Sequence, residues 1–69
     1  MTKLSDRIFS ARMKSGLTQH QLAEKAGCSQ GLIGNLEAGI QKSSTKIIYI
    51  AAALEVDPVW LQMGDGEGK

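Results

Sequence analysis

The sequence has a single cysteine, almost no net charge and no long apolar run, and each scarcity narrows the classes of function. Cys28 is the single cysteine among 69 residues, so no internal disulfide can form. One thiol and one histidine, His20, cannot complete a four-ligand zinc site, and no cofactor is expected. The core must therefore come from aliphatic side chains, which dominate a hydrophobic content of 42%. A net charge of +1 does not announce a polyanion-binding protein. Any nucleic-acid surface must come from how charge is distributed. No apolar run approaches the ~18 residues that would cross a membrane. The opening "MTKLSDRIF" breaks its apolar residues with Lys3, Asp6 and Arg7, unlike a signal peptide. A reducing, cytoplasmic setting is expected. No nucleophile–base pair, phosphate-cradling glycine loop or metal cluster is legible, so the chain does not read as an enzyme.

What is present is helical punctuation. Leu4, Ile8 and Ala11, with Phe9 or Met13, form a stripe over residues 3–15 that Gly16 stops. Thr18 and Gln21 form a T-x-x-Q capping box ahead of Leu22, Ala23 and Ala26, and Gly27 ends that helix. Ser29 caps a third helix that Gly39 closes. Residues 40–44 form a loop, and Ser43 or Ser44 opens a fourth helix through Ile47, Ile50, Ala51 and Leu54. Asp57 as N-cap, Pro58 at the first helical position and Gly64 beyond the end define a fifth. The reading is all-α: one domain over residues 1–64 and a flexible tail over 65–69.

Helices two and three are joined by only three or four residues around Gly27, the helix-turn-helix spacing. Ala23 is small where the third helix crosses it, and Gly27 can take the positive φ of a sharp turn. Ile33 and Leu36 pin the third helix, leaving Gln30, Gly31, Gly34, Asn35 and Ala38 exposed. Two interior glycines each cost a helix roughly 0.5–1 kcal/mol relative to alanine. They make sense if a smooth face must enter a groove; drift on a helix held by packing is the plainer alternative.

With "LSDRI", Arg12, "LTQHQLAEKAG", "NLEAG" and "DPVWLQMG" at fixed spacing, the chain resembles the Cro/repressor helix-turn-helix family of lambdoid phages over nearly its whole length. The resemblance implies a compact five-helix lambda-repressor-like domain whose third helix lies in the DNA major groove. It implies base-edge contacts from Ser29, Gln30, Gly31 and Asn35. Backbone contacts would come from Arg12, Thr18, Gln19, Gln41, Lys42 and Lys46. Arg12 would also pair with Glu37. A dimer contact would fall around Ser44, Val56, Pro58, Val59 and Leu61. The implied function is a phage or prophage Cro-like transcriptional repressor that binds a pseudo-palindromic operator as a homodimer, weak off DNA, with no membrane or small-molecule partner. An excised repressor N-terminal domain, an antitoxin-type regulator with a protein partner, and a protein-interaction module that does not bind DNA are the alternatives. The loop "IQKSSTK" departs from relatives with a strongly basic loop, and Phe9 stands where relatives can be basic. Both imply fewer phosphate contacts and a shallower salt dependence. His20 reads as a solvated surface residue, Cys28 as a small turn residue, and Phe9 and Trp60 as core.

Overall fold

The computed structural model describes residues 3–64. The tail expected over 65–69 lies outside them. Five helices follow in order: α1 Leu4–Ser15, α2 Gln19–Ala26, α3 Gln30–Ala38, α4 Ile47–Leu54 and α5 Pro58–Met63. No strand occurs among the described residues. No helix there is long and apolar enough to cross a membrane.

The helix ends follow the local chemistry. Thr18 Oγ1 accepts from the Gln21 amide at 3.0 Å, and Gln21 Oε1 accepts from the Thr18 amide at 2.9 Å, closing the capping box. Ser29 Oγ accepts from the Leu32 amide at 3.1 Å, and Asp57 Oδ1 from the Val59 amide at 2.9 Å. These bonds satisfy amide donors that the first turn of a helix leaves without partners. At the other end of α2, Gly27 sits at φ 73, and the Cys28 amide donates to the Ala23 carbonyl at 2.9 Å. This left-handed closure reverses the chain within three residues and sets α3 across α2.

Ile8, Leu22, Ile33, Leu36, Ile50 and Leu61 are wholly buried, so every helix contributes to one core. Each such side chain contributes about 1.5–3 kcal/mol through its removal from water. Ala23, Ala26 and Ala51 are also buried where helices cross. The packing joins α2 to both α3 and α4, and α1 to both α3 and α5.

Three expectations are corrected. α4 begins at Ile47, three residues after Ser44. Ser44 accepts twice instead, through Oγ from the Lys46 amide and through its carbonyl from the Ile47 amide, and this makes a tight turn ahead of the helix. Phe9 and Met13 lie on the surface, about half exposed. The inner stripe of α1 is Leu4, Ile8 and Ala11 with Arg7 beside it, and on a helix of 3.6 residues per turn Phe9 and Met13 fall outside that arc. Leu61 is fully buried in the core, so its side chain is not available to a partner.

Candidate nucleic-acid interface

α3 is held from beneath by Ile33 and Leu36, and from the side by a polar network anchored on Glu37. Arg12 of α1 donates through Nε to Glu37 Oε2 at 2.6 Å and through Nη2 to Oε1 at 3.1 Å. Its Nη1 donates to the Leu17 carbonyl at 2.9 Å. Gln19 Nε2 donates to the same Glu37 Oε1 at 3.1 Å. The pair is nearly buried, and the hydrogen bond to Glu37 raises the Arg12 pKa above its already high ordinary value. A fork of donors on a carboxylate fixes direction as well as distance. The network therefore ties α1, the start of α2 and the end of α3 into one rigid unit. Arg12, expected at the DNA backbone, spends its described hydrogen bonds inside this unit.

The outer face of α3 has a different character. Gln30, Gly31 and Asn35 are exposed, and Gly34 is half-exposed. Among the described residues, the side-chain amides of Gln30 and Asn35 make no hydrogen bond, so their donors and acceptors face outward unspent. Neither glycine is demanded by packing: a Cβ at Gly31 would meet only Ser29 Oγ at 3.9 Å, and at Gly34 only Gln19 Oε1 at 3.8 Å. Both gaps are ordinary van der Waals contact. Ser29 is exposed as the cap of α3, and its hydroxyl oxygen already accepts from Leu32.

The remaining expected backbone contacts lie outside α3, at helix starts and in the loop before α4. Thr18 and Gln19 stand at the start of α2 and Lys46 at the start of α4. Lys42 is exposed in the intervening loop, while Gln41 turns its Nε2 onto the Ser43 carbonyl at 2.9 Å. His20 is exposed with Nε2 3.3 Å from Glu24 one turn on. Cys28 is partly buried in the α2–α3 turn; burial raises its thiol pKa, and the charge of Lys46 opposes that rise.

The expected dimer residues are split. Ser44, Pro58 and Val59 line one apolar groove between α4 and α5, together with Ile48 and Met63. Val56 lies elsewhere, in a depression with Lys14 and Trp60, so it does not join that groove. The sequence reading missed Ile48 and Met63. The run "IIYI" was the available signal, since a helix packed on one side cannot bury all four residues.

The comparisons agree with this architecture. A family model described as Helix-turn-helix matches residues 8–61. The transcriptional regulator PrtR of Pseudomonas aeruginosa is 47% identical over 70 residues, covering 94% of this chain. The regulator of conjugative element R391 from Providencia rettgeri is 39% identical over 67 residues, covering 97%. The chain spans 27% and 31% of the lengths of these two relatives. Among solved structures, the P22 c2 repressor in complex with a synthetic operator superposes with a TM-score of 0.86 at 24% identity, covering 94% of this chain and 100% of that one. The solution structure of the P22 c2 DNA-binding domain gives 0.82 at 25% identity, covering 93% of this chain and 86% of that one. With its capped α2–turn–α3 unit and an outward-facing polar α3, the chain belongs to the Cro/C1-type helix-turn-helix family of transcriptional regulators.

Proposed function

We propose that the protein is a transcriptional repressor that docks α3 in the major groove of a pseudo-palindromic operator and binds it as a two-fold dimer. The observation that carries this reading is the pair of unspent amides, Gln30 and Asn35, on the outer face of a helix otherwise locked by the Glu37 network. An amide presents a donor and an acceptor side by side, the pattern that pairs with adenine in the major groove. The two glycines keep that face free of bulk, so the helix backbone can come close to base edges. The family relationship and the operator complex of the P22 c2 repressor support the same reading.

The nine residues of α3 span about 14 Å, enough for about four or five base pairs. One copy gives too little discrimination in a genome, and in this motif class two copies sit roughly 34 Å apart, one turn of DNA. The groove lined by Ser44, Pro58, Val59, Ile48 and Met63 is the surface for the second copy. It is small, so the dimer is weak in solution and tightens on DNA.

The test separates reading from holding. Gln30→Ala costs roughly 1–3 kcal/mol at the selected operator and relaxes preference at one position. Lys42→Ala weakens operator and random duplex about equally and lowers the salt slope by about one. Equal losses on both duplexes for Gln30→Ala would remove α3 as the reading element. Val59→Asp abolishes cooperative operator binding with helix content unchanged; binding that stays cooperative would move the dimer contact elsewhere.

A further inference from the structure

We infer that Tyr49 is a positioning residue for DNA binding: its exposed ring holds the Lys46 ammonium in place for a phosphate without neutralising it. The inference rests on the proposed operator binding and on the backbone contact that the family resemblance implies for Lys46. Lys46 Nζ lies 5.2 Å from the centroid of the Tyr49 ring, inside the range in which a ring face attracts a cation. The two residues are three apart at the start of α4, so they share one helix face. The main chain of Lys46 is fixed as well: its amide donates to Ser44 Oγ at 3.0 Å, and its carbonyl accepts from the Ile50 amide at 2.9 Å. Its charge is felt at Cys28, in the turn that leads into α3.

The manner of bracing matters. Arg12 also lies over a ring, with its guanidinium carbon 5.4 Å from the Phe9 centroid, but its charge is matched by Glu37. No carboxylate among the described residues lies within ion-pair distance of Lys46. A carboxylate would steady the ammonium and also offset the charge that a phosphate needs. A ring steadies it and leaves the charge intact. Tyr49 is 57% exposed, so core packing does not account for an aromatic residue there. A lysine already ordered before binding avoids most of the cost of ordering a flexible side chain on DNA.

The experiment measures duplex affinity against salt concentration for the wild type, Tyr49→Leu, Tyr49→Phe, Lys46→Ala and the Lys46→Ala/Tyr49→Leu double variant. Thermal melting confirms that each is folded. Tyr49→Leu should weaken operator and random duplex alike by about two- to tenfold, the ordering cost of one long side chain. Its salt slope should be unchanged, because no charge is lost. Tyr49→Phe should bind as the wild type, and the double variant should bind no more weakly than Lys46→Ala. A Tyr49→Leu variant with wild-type affinity overturns the inference. So does a Tyr49→Phe variant as weak as Tyr49→Leu, which would give the hydroxyl its own contact, or a full Tyr49→Leu loss on top of Lys46→Ala. If Lys46→Ala leaves the slope unchanged, the phosphate contact itself fails and the role of Tyr49 falls with it; that slope alone identifies this outcome.

Discussion

α1 carries two inward-turned arginines, and they hold two different helices, α3 and α5, by different means. Arg12 grips a side chain, the Glu37 carboxylate, and so steadies α3 and its outer face. Arg7, buried to 6% exposure, grips main chain: Nε donates to the Leu61 carbonyl at 2.8 Å and Nη2 to the Gln62 carbonyl at 3.0 Å. Those carbonyls belong to the last turn of α5, where helix C-terminal oxygens lack partners and favour a cation. α5 has six residues, too few to persist without tertiary support. It nonetheless carries Val59 and Met63, which shape the α4–α5 groove. The proposed reading face and the proposed dimer face are thus braced through one helix but by separate contacts, and they can be loosened one at a time.

Arg7→Met should have the largest effect. It leaves the buried Leu61 carbonyl and the partly buried Gln62 carbonyl without this donor, at a cost of about 3 kcal/mol. Urea unfolding followed by Trp60 fluorescence measures the loss. Cooperative operator binding should fall while non-specific affinity per monomer is kept. Equal losses in both would mean that the two braces are not separable. Arg12→Met should cost about 2 kcal/mol, since Gln19 still donates to Glu37. Here the order reverses: binding of a single half-site weakens before cooperativity does, as a titration with half-site duplexes would report.

Gly64→Ala sharpens the α5 side of the comparison. Gly64 holds φ 90 and ψ −176, a region open essentially to glycine alone, and a Cβ would stand 2.9 Å from Arg7 Nη1. A loss of about 1–2 kcal/mol is expected. Part of it should vanish in the Arg7→Met background, and full additivity in a double-mutant cycle would show that the two residues do not interact. The smallest effect, and the only gain, belongs to Gly31→Ala. A Cβ there meets only an ordinary van der Waals contact, which predicts up to about 1 kcal/mol of added stability, with operator preference altered or binding weakened. A stabilised variant that binds unchanged would leave the glycine without a role in recognition.

These contrasts explain what the sequence made legible. Caps and stops such as Thr18, Gly27, Ser29, Asp57 and Gly39 act on neighbours within four residues, so their meaning is local and readable. The Arg12–Glu37 pair joins two side chains and followed from the family resemblance. Arg7 bonds to main-chain oxygens 54 and 55 positions away, and any residue at 61 or 62 would supply them. No pattern of residue types marks such a contact. Leu61 was assigned to the dimer contact by the resemblance, which indicates a stretch of chain and not the direction of each side chain, and here that side chain is wholly buried. The start of α4 was misplaced because Ser44 serves a preceding turn as readily as a helix cap. For the outer face of α3, residue types were legible in the sequence, while which amides stay unspent depends on the folded neighbours of each side chain.

The contact between Arg7 and Leu61 also orders events in time. It closes a loop of 54 residues, and loop closure grows more costly with length. A chain leaves the ribosome from its N-terminus at about 5–20 residues per second, so Arg7 emerges seconds before its acceptors exist. During that interval α1 lacks its packing against α5, and the α4–α5 groove lacks one wall. The complete groove therefore exists only once the last turn of α5 has been made. The pairing proposed for that groove would then follow the Arg7 closure and not precede it.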